Sequence, residues 1–163
     1  MNIDKPQLYQ QSLSEINSVL NDESLIHLKM ATINSILKKN LAYYYWVGFY
    51  LVNNNMLSIG AYQGTMGCLH IPFHKGVCGR AARTGLTQIV DNTNDDPEHI
   101  ACDAASLSEI ALPVFNMQQQ LIAVFDVDSL QVGSFDEVDK FYLNSILKTH
   151  FASQPLVYSY SFI

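Results

Sequence analysis

The feature that most constrains the fold is a run of ten residues, 43–52, in which every residue except Gly48 is apolar or aromatic. Aromatic and β-branched side chains favour strands, so the run predicts a buried β-strand. Three asparagines follow at 53–55, and asparagine tolerates the left-handed backbone of a tight turn. Residues 56–62 then return as a second strand, which makes an antiparallel hairpin. The run is much shorter than the roughly 18 apolar residues that a membrane-spanning helix needs.

Helices are predicted on both sides of this hairpin. Before it, apolar residues recur at helical spacing in two segments between about residues 4 and 40. Behind it, Ser134 and Glu137 match a capping box that opens a last helix over about 135–151. Shorter elements are predicted in between: strands at 69–72, 87–90, 110–115 and 121–127, and a helix at 77–83 that ends at Gly85.

This order of elements predicts an α+β fold, with a central antiparallel sheet and with the N-terminal and C-terminal helices packed on one face. The length of 163 residues fits a single domain, 1–163. We divide it into a helical part over about 4–40, a sheet with its loops over about 42–129, and the last helix. The apolar faces of the two N-terminal helices either cover the sheet or form a homodimer interface. The tail 154–163, rich in Tyr and Ser, has no predicted role.

The charge balance excludes several classes of partner. Nine Lys and Arg residues stand against 15 Asp and Glu residues, a formal net charge of −6. Binding to nucleic acid or to an anionic membrane surface needs clustered basic residues, so we expect neither. The sequence starts without a basic segment followed by an apolar stretch, which predicts no secretory signal. We therefore expect a cytoplasmic protein whose thiols are kept reduced.

Three cysteines, Cys68, Cys78 and Cys102, are the first candidates for chemistry. Their odd number argues against a structural disulfide framework, and the lack of a Cys-x-x-Cys pair excludes a thioredoxin-like motif and a zinc ribbon. Three alternatives remain: a zinc site completed by a nearby histidine, a set of redox-active thiols, or three buried and inert side chains. Cys78 lies where a short helix begins, and Cys102 would too if Asp103 onward were helical. A helix N-terminus lowers the pKa of a thiol.

Acidic and aromatic residues form a second group of candidates. Asp126 and Asp128 are two apart and so face the same side of one predicted strand, while Glu109 precedes another. The two aspartates either face water at the end of the strand, or they line a pocket that holds an ammonium group or supplies a proton. Trp46 and Tyr50, four apart on a strand, either fill the core or form the wall of a pocket. The polar segment 91–108 is longer than most structureless loops in compact domains, which indicates a functional loop.

Three segments carry a more specific signal. They are Trp-Val-Gly-Phe-Tyr-Leu at 46–51, Ile-Pro-Phe at 71–73 with Lys-Gly-Val-Cys-Gly at 75–79, and His-Ile-Ala-Cys-Asp-Ala-Ala-Ser at 99–106 with Ser-Glu-Ile at 108–110. Together they resemble the free methionine-(R)-sulfoxide reductases, single-domain enzymes of the GAF fold. The resemblance covers about residues 43–129 and favours redox thiols over the other two alternatives.

The resemblance implies a role for each candidate. Cys102 would attack the sulfoxide of free methionine (R)-sulfoxide, Cys68 would form the disulfide with it, and Cys78 matches a third cysteine of less uniform role. Glu109 is implied as the acid that protonates the sulfoxide oxygen, with Asp128 as the second candidate. The residues implied to line the substrate site are Trp46, Tyr50, Glu109, Asp126 and Asp128. Thioredoxin is the implied reductant, and no metal or organic cofactor is required.

Three residues depart from the pattern of that family: Leu107 stands where a basic residue is expected, His74 replaces a glycine, and Arg80 replaces a small residue. We expect them near the rim of the pocket, without loss of the chemistry. The competing hypothesis is a GAF regulatory module that binds a small ligand without catalysis. Three matched cysteines have no place in that alternative.

Overall fold

The computed structural model describes residues 4–158 and contains four α-helices and six strands. The helices are α1 (Lys5–Val19), α2 (Ile26–Asn40), α3 (Gly76–Thr84) and α4 (Glu137–Leu147), the last followed by a π-helical turn (Lys148–Ala152). The strands are β1 (Trp46–Asn53), β2 (Met56–Gln63), β3 (His70–Pro72), β4 (Gln88–Val90), β5 (Ser108–Phe115) and β6 (Leu121–Ser129). Between β4 and β5 the chain forms one short 3₁₀ turn (Thr93–Asp95) within an otherwise irregular loop, as its polar composition predicted.

Local sequence explains where the helices begin and end. Asp4 accepts a hydrogen bond from the backbone N–H of Gln7 and so caps α1. The left-handed backbone of Gly85, with φ of 66°, ends α3 as predicted. The capping box predicted at Ser134 and Glu137 is wrong. It forms two residues later, between Asp136 and Asp139, because a carboxylate accepts the free backbone N–H groups of the first turn.

The six strands form one antiparallel sheet in the order β3-β2-β1-β6-β5-β4. Helices α1, α2 and α4 pack on one face, where the larger apolar core lies. The smaller α3 packs on the opposite face, over β5 and β6. The predicted α+β fold with terminal helices on one face is confirmed.

The apolar faces of the N-terminal helices are accounted for within one chain. Ile16 of α1 and Ile33 of α2 are fully buried in the core that these helices form with the sheet. Covering of the sheet therefore explains these faces, and the homodimer stays a prediction. The described part of the tail pairs with the start of α2 through Val157 and Leu25, while 159–163 lie outside the described residues. No helix among residues 4–158 is long and apolar enough to cross a membrane.

Candidate active site

Strand register places an aromatic and two acidic side chains in one row across three neighbouring strands. Asp128 of β6 pairs with Trp46 of β1 on one side and with Glu109 of β5 on the other. Two residues earlier on β6, Asp126 pairs with Gly48. Because side chains alternate along a strand, Asp126 and Asp128 share one face of the sheet, as predicted. That face carries α3.

The three carboxyl groups lie where ionisation is costly. Burial, followed by the charge of Asp128, raises the pKa of Glu109 to about 8. Burial also raises the pKa of Asp128 to about 6 and that of Asp126 well above its ordinary value. Ser106 donates its hydroxyl to Asp128, whereas Oδ1 of Asp126 accepts no hydrogen bond from any described residue. The cluster can therefore retain a proton near neutral pH and accept a cation.

Cys78 is buried in the first turn of α3, against this cluster. Its thiol donates a hydrogen bond of 3.7 Å to Oε1 of Glu109, whose Oε2 lies 3.3 Å from Nδ1 of His99. The predicted lowering of the Cys78 pKa by the helix N-terminus is wrong. Burial, followed by the charge of Asp126, raises the pKa of this thiol well above its ordinary value, because both disfavour the thiolate.

The other two cysteines are joined. Cys68 lies just before β3 and Cys102 lies in the β4–β5 loop, and they form a disulfide with a Cα–Cα distance of 5.1 Å. The residues after Cys102 form a turn, so the helix considered from Asp103 onward is absent. The zinc alternative needed three cysteines at one point, whereas two are used in the disulfide. Cys78 is free.

Asp103 links the two chain segments that the disulfide joins. Its carboxylate accepts hydrogen bonds from the hydroxyls of Thr65, at 2.6 Å, and Tyr45, at 2.9 Å. It also accepts one from the backbone N–H of Ala105, at 2.9 Å. These three hydrogen bonds lower the pKa of Asp103 and keep its carboxylate ionised. The bond from Thr65 makes the largest contribution. The turn that carries Cys102 is therefore fastened to the segment that carries the partner cysteine.

A second set of polar contacts fastens the start of the same loop to α3. Arg80 donates to both carboxylate oxygens of Asp96, at 2.6 and 3.1 Å, and to Gln88 at 2.8 Å. One turn later, Arg83 pairs with Glu98. Bidentate pairs of this kind fix geometry as well as charge. Arg80 therefore supports the loop.

The aromatic pair forms one wall of the site. The rings of Trp46 and Tyr50 stack with their centroids 5.8 Å apart, and the indole N–H of Trp46 donates to the carbonyl of Thr65 at 2.9 Å. Gly48 lies between the two on the same face. A Cβ at Gly48 would come within 2.5 Å of the indole ring, so only glycine leaves the ring in place.

These elements enclose a cavity of about 40 Å³. Seven of the eight predicted site residues line it: Trp46, Tyr50, Cys78, Cys102, Glu109, Asp126 and Asp128. The eighth, Cys68, reaches it through the disulfide. Lining residues that the sequence analysis did not assign to the site include His99, Asp103 and Ser106, all within the family-like segment 99–106. Their position close to Cys102 in the sequence is the feature from which they could have been assigned to the site.

The three departures from the family pattern, Leu107, His74 and Arg80, are not among the described residues that line this cavity. Leu107 extends the pairing of β5 with β6, because its backbone N–H donates to the carbonyl of Ser129 at 2.8 Å. His74 is exposed in the turn before α3. That these residues lie near the rim of the pocket and leave the chemistry intact stays a prediction.

Comparison with known proteins identifies the family. The GAF domain model matches residues 32–149. Free methionine-R-sulfoxide reductase of Escherichia coli is 34% identical over 138 residues, 85% of this chain and 83% of that protein. The solved structure of free methionine-R-sulfoxide reductase from Neisseria meningitidis, in complex with its substrate, is 39% identical and superposes with a TM-score of 0.85 over 91% of this chain and 89% of that chain. The reduced form of fRMsr from Staphylococcus aureus is 38% identical, with a TM-score of 0.82 over 86% of this chain and 90% of that chain. This chain belongs to the free methionine-R-sulfoxide reductase family of GAF domains.

Proposed function

We propose that this protein reduces free L-methionine (R)-sulfoxide to L-methionine, with two of its cysteines as the source of electrons. The observation that carries the proposal is the Cys68–Cys102 disulfide at a cavity lined by three buried carboxyl groups. The relatives that carry this activity in their names supply the substrate class.

The reaction begins with Cys102. Its thiolate attacks the sulfoxide sulfur while an acid protonates the sulfoxide oxygen, and the oxygen passes to Cys102 as a sulfenic acid when methionine leaves. Glu109 is the acid, because a carboxyl group with a pKa of about 8 is mostly protonated at neutral pH. Asp128, with a pKa of about 6, is the second candidate.

The second step closes the disulfide. The thiol of Cys68 attacks the Cys102 sulfenic acid, a sulfur–sulfur bond forms and the oxygen departs as water. Two thiols have then been oxidised for each sulfoxide reduced. The Cys68–Cys102 disulfide corresponds to the state after methionine has left. A dithiol protein such as thioredoxin restores both thiols.

Recognition of a free amino acid follows from the charges of the site. A free ammonium group needs a buried carboxylate partner. Asp126 lines the cavity, and its Oδ1 accepts no hydrogen bond from any described residue. Trp46 and Tyr50 supply an apolar wall for the methyl and methylene groups. A methionine inside a peptide has no such ammonium and carries chain on both sides. The pocket therefore selects the free amino acid.

Three finer assignments complete the proposal. Cys78 holds Glu109 through its protonated thiol, rather than acting as a nucleophile, because burial disfavours its thiolate. The protein works in the cytoplasm, where a dithiol reductant is available. All the site residues come from one chain, so each copy in a homodimer would have its own full set of catalytic cysteines.

The test uses the two stereoisomers separately. Reduced protein is mixed with the R or the S form of free methionine sulfoxide, without reductant, and both thiols and methionine are counted. We expect two thiols lost for each methionine released, with the R form only. Cys102→Ser is the control that should release none. If neither form yields methionine and three thiols remain, the protein is instead a ligand-binding GAF module with incidental cysteines.

A further inference from the structure

Three buried side chains with metal-ligating atoms, one thiol and two carboxyl groups, lie close together in the cavity. Cys78 Sγ, a carboxylate oxygen of Glu109 and one of Asp126 all lie within 4.8 Å of one another, and all three side chains are buried. Two ligands of a tetrahedral zinc ion, a thiolate at about 2.3 Å and a carboxylate oxygen at about 2.0 Å, are roughly 3.5 Å apart. The observed distance from Sγ to Oε1 of Glu109 is 3.7 Å. The spacing therefore needs little adjustment to bind such an ion.

A second observation concerns one oxygen of Asp126. This residue is only 5% exposed, yet its Oδ1 accepts no hydrogen bond from any described residue. A buried polar atom ordinarily has a hydrogen-bond partner or a bound cation, since burying it without one is costly. The described residues that line the cavity include the carboxyl groups of Glu109 and Asp128 and no lysine or arginine. The nearest basic group to the cluster is the imidazole of His99, which lies against Glu109.

We propose that Cys78, Glu109 and Asp126 form a binding site for a divalent cation of the zinc type, and that this cation excludes the substrate from the pocket. The thiolate and carboxylate ligands select Zn²⁺ or Co²⁺ over Mg²⁺ and Ca²⁺, which prefer oxygen ligands alone. Nδ1 of His99 lies 3.3 Å from Oε2 of Glu109, a distance that suits an outer partner of this ligand. Exclusion of the substrate rests on the proposed function, because the cation takes the carboxylate of Asp126 that the ammonium group would use.

The disulfide form makes a clean test of the site, because Cys78 is then the free cysteine. Oxidised protein is titrated with Co²⁺, and the near-ultraviolet absorption of a cobalt–thiolate bond is recorded. We expect the band to saturate at one Co²⁺ for each chain, and to disappear when Zn²⁺ is added but not when Mg²⁺ is added. Absence of a saturable band would overturn the site.

Variants locate the ion. Asp126→Asn should weaken Co²⁺ binding by at least about tenfold, because it removes one charged ligand. The matched control is Asp22→Asn, which removes a carboxylate from the exposed turn after α1 and should leave the titration unchanged. Equal weakening in both variants, or in neither, would contradict the ligand set. Circular dichroism shows whether each variant is folded.

Competition tests the second half of the proposal. In a Cys68→Ser, Cys102→Ser double variant Cys78 is the one remaining cysteine, and the substrate binds without turnover. Calorimetry without metal first measures the binding of free methionine (R)-sulfoxide. Saturating substrate should then raise the apparent Kd for Co²⁺ at least about tenfold, if both occupy one pocket. Substrate that binds without changing the Co²⁺ titration would overturn exclusion. If the substrate does not bind at all, the proposed function is contradicted. The Co²⁺ titration of oxidised protein still tests the metal site on its own.

Discussion

Oε1 of Glu109 lies 3.7 Å from the thiol of Cys78 in the buried floor of the cavity, and the pKa of both groups is raised. The thiol donates and the carboxyl oxygen accepts, so both can keep their protons near neutral pH. In the proposed reaction, this pair is the source of the proton for the sulfoxide oxygen.

The first prediction concerns the pH dependence of the chemical step. The rate of methionine release in a single turnover should fall as pH rises through about 8, because Glu109 then loses the proton that it donates. Glu109→Gln should lower that rate by about 100-fold or more and remove the alkaline decline. Rapid-quench measurements from pH 6 to 9 would check this. An alkaline decline that persists in the variant would assign the acid elsewhere.

The stability of the fold should depend on the same carboxyl group. Its pKa is about 8 in the folded protein against 4.5 for the ordinary group, so the folded state binds the proton more tightly. The free energy of unfolding should therefore decrease as pH rises from about 4.5 to 8. Urea denaturation at several pH values measures this slope, which should be shallower in Glu109→Gln. A free energy that rises with pH in this window, with no effect of the substitution, would refute the raised pKa.

Asp126→Asn should separate binding from chemistry. If Asp126 binds the ammonium group, the variant loses a charge-assisted hydrogen bond, and KM should rise by about 10-fold to 100-fold with a smaller change in kcat. Steady-state kinetics with free methionine (R)-sulfoxide would check it. An unchanged KM would reject ammonium binding by this residue.

Asp103→Asn should affect disulfide closure more than methionine release. The substitution weakens the bonds from Thr65 and Tyr45 that hold the Cys102 turn against the Cys68 segment. We expect closure to slow about tenfold more than release, since these are charge-assisted bonds. A dimedone trap for the sulfenic acid measures the delay. Thr65→Val should show the same effect in weaker form, and equal slowing of both steps would argue against a positioning role.

The Arg80–Asp96 pair should contribute to stability through the loop that it fastens. Both side chains are largely buried, with 21% and 11% of their surfaces exposed, so solvent screens the pair only in part. A double-mutant cycle with Arg80→Met and Asp96→Asn should give a coupling energy of about 1–3 kcal/mol from urea denaturation. Arg83→Met, which affects the more exposed pair with Glu98, is the comparison and should cost less. A coupling near zero would mean that the loop does not depend on Arg80.

The strands and their faces were predictable because they depend on local periodicity. The aromatic run at 43–52 gave β1, and the spacing of two along β6 placed Asp126 and Asp128 on one face. The residue pattern along β6 did not indicate whether that face is exposed to solvent or lines a pocket. It also misplaced the capping box, because Ser134 and Asp136 both suit a helix start, and the first turn of α4 accepts only one of them.

By itself, the sequence determined the α+β fold and the family, since these depend on periodicity and on short motifs. It also predicted eight site residues, seven of which line one cavity. Only the tertiary structure decided the chemical state of those residues. Burial by α3 and by the neighbouring strands raises the pKa of Cys78, where the helix N-terminus alone would have lowered it. The contacts of His99, Asp103 and Arg80 also depend on the tertiary structure, because their partners lie in other segments of the chain. A pKa or a loop contact depends on what surrounds a group in three dimensions, and spacing along the chain does not record this.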